Sequence, residues 1–342
     1  MPIMNTVIQG GGGSSSTVLG LTIEQSYGTV TNGVFNRPSG SNLPDFTGLT
    51  GIGDYAFYGQ YREHKGLSGG VIGASTITSI GEAAFMTFCK DSSFSGTVDF
   101  SGVTNVSTDS FQDAFDYTGI TSVDFGSLEE IKYVDYNNQR LSVFYGAFQT
   151  CRNLTSINFS KLRVVQSGNC FYYAFSGHNC VNIRFDSLDT INITSAGYPF
   201  AGAFGSTYGD TTQRHIYFPA LRYLLGSGNS HFASFEPGTN VTVHFPSNMQ
   251  TTIEAKGWTS ASFVKAYDLP AVVTLTCANS EDYVRNPKYD TQSALAWRRE
   301  DNSALVDWTA YYTSGTSDPA VGDTIYSDAS CTTVVTTIDS IA

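Results

Sequence analysis

Apolar positions along the chain fall into a unit of 27 to 33 residues that recurs through its middle. A small residue followed by Phe marks each unit: Ala56-Phe57, Ala84-Phe85, Ala114-Phe115, Ala147-Phe148, Ala174-Phe175, Ala203-Phe204 and the variant Ser234-Phe235. A second pattern lies between these markers. It is clearest at Leu154, Ile157, Phe159, Leu162 and Val165, and returns at Ile120, Val123, Phe125, Leu128 and Ile131. Shorter copies are Val98, Phe100, Val103 and Val106; Ile183, Phe185, Leu188 and Ile191; and Ile216, Phe218, Leu221 and Leu224. The series ends at Val243, Phe245 and Pro246.

The spacing has a structural meaning. Side chains alternate across a strand, so the two apolar residues of an I-x-F stretch share one face. The following L-x-x-I turns the chain and sends two more apolar groups inward. The Ala-Phe pair then closes the circuit through a short helical or irregular segment. A single circuit cannot bury its own apolar edge, so neighbours must stack. This predicts that Phe85, Phe115, Phe148, Phe175 and Phe204 line up in one interior column, each contributing roughly 1.5–3 kcal/mol if fully buried.

These residues resemble the BspA-like class of bacterial leucine-rich repeats, whose unit reads L-x-x-I-x-[IFL]-[PS]-x-x-[LV]-x-x-I-G-x-x-A-F. Ile77, Ile80, Gly81, Ala84 and Phe85 match its second half. The resemblance spans residues 52–245 and departs from the family at two insertions, 133–142 and 205–214. Pro follows the strand Phe only at Pro219 and Pro246. It implies a repeat solenoid of leucine-rich-repeat type, right-handed and mostly β with short helical or irregular segments.

Four regions follow. Residues 1–50 hold a Gly/Ser-rich run, Gly10 to Ser16, read as an attachment segment or linker and cap; residues 51–246 hold about seven repeat units. Residues 247–268 are a capping segment, with Thr251, Ile253, Ala255, Trp258 and Phe263 at spacing suited to a short helix. Residues 269–342 read as a small all-β C-terminal module, with strands expected at 272–277, 294–297, 304–308 and 332–338. This tail, with its PAVGDTIYSD turn at 319–328, and the Gly-rich start resemble segments of bacteriophage tail and virion structural proteins.

Composition narrows the function. Charged residues are 14% of the chain, net charge is −12, and Lys and Arg form no cluster of five or more. A nucleic-acid partner needs a basic face to displace counterions, so none is expected. No apolar stretch reaches 18 residues and no export signal is recognisable at the start, so neither membrane insertion nor Sec export is expected. The six cysteines are dispersed without a CxxC pair and read as small buried thiols. The five histidines form no HxH or HExxH motif, and no G-x-S-x-G elbow occurs. No catalytic, cofactor or metal site is expected, and the carboxylates at Glu129-Glu130 and Glu281-Asp282 read as solvated turn charges.

What remains is surface. The residue between the two inward positions of each strand should face outward, aligning Asp99, Asp124, Asn158, Arg184, Tyr217 and His244 as a candidate binding ladder. The aromatic insertions, with Tyr133, Tyr136, Phe144, Tyr145, Tyr172, Tyr173, Tyr198, Phe200 and Tyr208, are an equal candidate for contacting proteins or sugars. The reading is a non-enzymatic bacteriophage virion protein, tail- or capsid-attached, for host recognition or assembly; the alternative is a bacterial cell-surface adhesin. Expected partners are other virion proteins, a host surface protein or glycan, and further copies of the chain in a homo-oligomer.

Overall fold

The structure is a computed structural model describing residues 7–9, 17–19, 46, 48–67, 69–131, 142–166, 168–193, 197–205, 212–226, 240–256, 263–279, 282–285, 297–300, 305–306, 311–312, 320–328 and 330–341. The fold is β-rich, dominated by parallel sheets, with one short α-helix at Gln250–Ala255 among the described residues. None of its described helices is long and apolar enough to cross a membrane.

Each unit lays one strand in each of two parallel ladders. The first ladder runs Gly70–Gly73, Gly96–Asp99, Ser122–Asp124 and Ser156–Asn158, and continues as a second sheet through Asn182–Arg184, Arg214–Tyr217, Val241–Pro246 and Val264–Leu269. Its inward aliphatics are in register, Ile72 with Val98 and Val98 with Val123, then Ile183 with Ile216 and Ile216 with Val243. Their Phe partners stack along the ladder: Phe125 on Phe159 at 5.3 Å, Phe185 on Phe218 at 5.3 Å and Phe218 on Phe245 at 5.8 Å, each pair within 9° of parallel. The I-x-F pattern therefore produces the strand face expected of it.

The second ladder runs Leu49–Ile52, Ser79–Ile80 and Asn105–Val106, then Glu130–Ile131, Val164–Val165, Thr190–Ile193 and Tyr223–Gly226. Just before each of its later strands stands a charged position of alternating sign: Glu129, Arg163, Asp189 and Arg222. Backbone bonds join Arg163 to Glu129, Asp189 to Arg163 and Arg222 to Asp189. Arg163 and Asp189 are buried. Placing opposite charges on successive circuits avoids setting like charges against each other in a poorly hydrated site.

The Ala-Phe segments are not helical. They are chains of turns in which every fourth residue is left-handed, at Tyr55, Gly59 and Glu63, then Ala83, Thr87 and Asp91, then Asp109, Asp113 and Tyr117. Alternate N–H groups bond within the circuit, as Tyr58 to Tyr55 and Gln60 to Phe57. The intervening ones reach the next circuit, as Phe57 to the Ala84 carbonyl and Gly59 to the Met86 carbonyl. The backbone donors of this third face are thereby shared between its own turns and its neighbours.

This turn register corrects the single-column expectation. One column is Phe57, Phe85, Phe111, Phe144, Phe171 and Phe200, with successive rings 5.2 to 5.4 Å apart. Another holds Phe115, Phe148, Phe175 and Phe204 at 5.4 to 5.9 Å. Phe85 belongs to the first and so does not align with Phe115; the Cys89 N–H, not that of Phe85, bonds to the carbonyl of Ala114. Each circuit offers two aromatic slots four residues apart. In the unit after Phe57 the second slot is filled by the Phe88-Cys89 pair, which does not look like Ala-Phe. The Ser234-Phe235 marker lies outside the described residues.

At the N-terminal end, Val7–Gln9 pairs antiparallel with Thr17–Leu19, which pairs parallel with Leu49–Ile52. The Gly/Ser run between the first two strands lies outside the described residues. At the other end the helix is confined to Gln250–Ala255 and buries Ile253. Phe263, expected in that helix, directly precedes the strand Val264–Leu269, which extends the first ladder; Trp258 lies outside the described residues. Beyond it a seven-stranded sheet runs in the spatial order Leu305–Val306, Trp297–Glu300, Asp282–Arg285, Thr274–Cys277, Val334–Ile341, Thr324–Tyr326 and Tyr311–Tyr312. All of its pairings are antiparallel. Arg222 Nη1 donates to Thr274 Oγ1 at 2.9 Å and ties this sheet to the second ladder.

Candidate functional site

The six residues of the expected outward ladder sit at equivalent strand positions, Asp99 opposite Asp124, Asp124 opposite Asn158, and Arg184, Tyr217 and His244 in sequence. They divide into two groups. Asp99 Oδ1 accepts from the Ser101 N–H at 3.0 Å, Asp124 Oδ1 from the Gly126 N–H at 2.8 Å, and Asn158 Oδ1 from the Ser160 N–H at 3.0 Å. Asn158 also donates Nδ2 to Asp124 Oδ1 at 2.9 Å. These side chains close the turn that follows each strand, as Asp and Asn do by bonding two residues ahead.

The other three stack. The Arg184 guanidinium lies 4.7 Å from the Tyr217 ring centre and pairs with Asp186 at 2.9 Å. The Tyr217 ring lies 4.4 Å from that of His244, 12° from parallel. His244 was expected to face outward but is buried, only 9% exposed, because Tyr217 covers one side and Asp268 of the next strand reaches over it. His244 Nδ1 contacts both Asp268 oxygens at 2.9 Å, while its Nε2 faces Nδ1 of His215, also at 2.9 Å. His215 and Asp268 escaped the sequence reading because they lie 29 and 24 residues from His244.

The turn face carries the aromatic candidates. Phe144 and Phe200 are core residues, which removes them from the surface set. Tyr145 and Tyr172 stack at 5.0 Å and 6°, and Tyr173 meets Tyr172 edge-on at 4.6 Å. Tyr173 is left-handed at φ 52 and its ring lies over Gly202; a Cβ there would come within 2.2 Å of it. Gly202, itself at φ +59, is therefore required by both backbone and neighbour. Tyr117 is 57% exposed, and Tyr173 and Tyr198 are exposed too. Tyr133, Tyr136 and Tyr208 lie outside the described residues.

Beside these tyrosines, Lys90 Nζ lies 3.1 Å from Asp116 and 3.5 Å from Asp113. Burial pushes the Asp116 carboxyl up to about 6 even though Lys90 pulls the other way. For Lys90, burial acts downward, but its bonds to the two carboxylates outweigh it and the net direction is up. Burial, then the neighbouring Tyr172 and Asp113, raises the Tyr145 hydroxyl.

The remaining polar groups have local tasks. Nδ1 of His64 accepts from the Gly66 N–H at 3.1 Å, and Nδ1 of His178 from the Cys180 N–H at 2.9 Å. Glu129 and Glu130 line an open depression with Thr104, Asn105 and Val106, and Glu129 approaches Arg163 at 3.8 Å. Glu281 and His231 lie outside the described residues. All six cysteines are free; five are buried and Cys331 is partly exposed. Burial pushes the Cys151 and Cys180 thiols up to about 12 and raises those of Cys89 and Cys170 as well, so none of the four is a ready nucleophile. Among the described residues no three His, Cys, Asp or Glu side chains converge as a metal cluster.

Compared with protein-family models, curated proteins and solved structures, the chain matches none.

Proposed function

We propose that this chain is a non-enzymatic display protein: a leucine-rich-repeat-type solenoid followed by a small all-β module, working as a bacteriophage virion component in host recognition or assembly. The observation that carries the reading is the use made of the repeats. Their interior is given over to columns of stacked Phe, so most of the groups that differ between circuits lie on the outer faces, the buried Arg163 and Asp189 apart. A regular interior with a variable exterior suits recognition better than catalysis.

Of the two surfaces, the turn face is the stronger candidate for contacting a host protein or glycan. Half of the strand ladder is occupied in closing its own turns, whereas Tyr117, Tyr173 and Tyr198 present aromatic area to solvent. Rigid amphipathic rings beside a Lys–Asp pair supply both stacking area and hydrogen-bonding groups. Multiple copies in a homo-oligomer would add avidity.

The deciding experiment is a complete protein inventory of purified particles, paired with imaging of particles labelled for this chain. Detection at fixed copy number, with label on the tail or capsid, is expected. A full inventory lacking the chain would overturn the virion reading. Loss of cell binding in the Tyr117→Ala, Tyr173→Ala double variant would assign recognition to the turn face.

A further inference from the structure

We propose that His215 and His244 form a two-imidazole site for a divalent transition-metal ion of the Cu²⁺ or Ni²⁺ type, clipping together the strands Arg214–Tyr217 and Val241–Pro246. The two residues occupy neighbouring strands of the first ladder, where His215 pairs with Thr242 and His244 with Tyr217. Both side chains lie on the outer side, and Nδ1 of His215 faces Nε2 of His244 at 2.9 Å. That contact is a hydrogen bond between the rings, and two imidazole nitrogens this close on neighbouring strands become a chelating pair once the shared proton leaves and both rings turn off the common axis.

The separation selects the geometry. With metal–nitrogen bonds of about 2.0–2.1 Å, ligands at a right angle stand about 2.9 Å apart, whereas tetrahedral ligands stand about 3.4 Å apart. The 2.9 Å of the pair is set by its hydrogen bond, so either kind of ion must turn the rings off that axis, but a right-angle site needs no widening whereas tetrahedral Zn²⁺ needs the pair to open as well. Tetragonal nitrogen sites favour Cu²⁺ and Ni²⁺, and intrinsic affinity rises towards Cu²⁺. Water completes the coordination, since no third His, Cys, Asp or Glu converges there among the described residues.

The surroundings supply the support such a site needs. Asp268 receives the Nδ1–H of His244, which directs the Nε2 lone pair towards His215. Tyr217 stacks on the His244 ring and holds its plane. Arg184, on the same face, lies on Tyr217 and is paired with Asp186. Without metal, His215 Nδ1–H donates to His244 Nε2. When the ion binds, that proton is relocated to His215 Nε2 through solvent, so both neutral rings keep one proton each while their facing nitrogens become ligands.

The test uses the full chain without a histidine tag, titrated with Cu²⁺, Ni²⁺, Zn²⁺ and Ca²⁺ by calorimetry. One Cu²⁺ or Ni²⁺ per chain is expected, with Zn²⁺ weaker and Ca²⁺ silent. His215→Ala, on a partly exposed side chain, should weaken that site at least tenfold while the circular dichroism spectrum is retained. Asp268→Asn should weaken it 10- to 100-fold by loosening the His244 orientation. In the wild type alone, bound Cu²⁺ should show nitrogen hyperfine coupling from two imidazoles. No equimolar binding, or binding unchanged in both variants, would overturn the site; a Zn²⁺ preference over Cu²⁺ would overturn the geometry assigned to it.

Discussion

The parallel stack and the antiparallel sheet that follows it draw on the same strand-forming residues but hold together in different ways. In the stack one apolar cluster runs from Phe46 to Phe263, and each Phe column hands contact from one circuit to the next. In the C-terminal sheet the buried cluster among the described residues is Leu275, Cys277, Ile325 and Ile338, with Val273, Val335 and Ile341 partly covered. The difference shows what repetition achieves. Each circuit brings few apolar residues, yet stacking turns two open edges per circuit into buried interfaces everywhere except the ends. The sheet gains nothing from repetition, and its described residues bury one thin layer.

The comparison can be broken most directly in the cores. Phe144→Ala removes a ring stacked on Phe111 and Phe171 and should cost about 3–5 kcal/mol in urea unfolding. A loss below about 1 kcal/mol would contradict the column packing. Leu275→Ala should cost about 2–3 kcal/mol, but in a separate transition that spares the near-ultraviolet signal of the stack. If both transitions move together, the two regions are one cooperative unit.

Two glycines sharpen the contrast more gently. Gly202→Ala forces a left-handed alanine, about 1–2 kcal/mol, and also displaces the Tyr173 ring. Gly322→Ala in the C-terminal sheet also has positive φ, but nothing lies within 4 Å of the added Cβ, so it should lose only the backbone contribution. Equal losses would show that the Tyr173 contact contributes little.

Acid titration gives the smallest effect. Burial raises the Asp116 carboxyl from 3.8 to about 6, so the folded chain holds this proton more tightly than the unfolded one. Its contribution to stability is full below about pH 4 and is lost as pH rises through about 6. Subtracting the stability profile of Asp116→Asn from that of the wild type should expose a fall on the order of 1 kcal/mol across that window. A flat difference would mean that the carboxyl is hydrated in solution. Thiol labelling of the native chain should modify Cys331 alone, with no effect on folding.

Much of this architecture was legible before any coordinates. The I-x-F and L-x-x-I spacings placed Phe125, Phe159, Phe185, Phe218 and Phe245 on one inward line, because strand alternation is a local property of the backbone. The Ala-Phe marker was less secure. Two slots four residues apart accept the same kind of pair, and only hydrogen bonds between circuits decide which one Phe85 occupies. The strand Val264–Leu269 lacks a local signal for a related reason: Lys265 stands on its inward line and the apolar Val264 and Ala266 on its outward one, so the alternation that announces a strand is lost.

Sequence by itself determined the period, the inward residues of the strand ladder and the buried state of most cysteines, since each follows from side-chain size and polarity read over a few neighbouring residues. Tertiary structure alone decided which circuits share a column, which outward residues are spent on closing turns, and that Asp268, His244 and His215 meet. Those outcomes depend on register between strands more than twenty residues apart. Register is set by the collective fit of all circuits, and no single segment contains it.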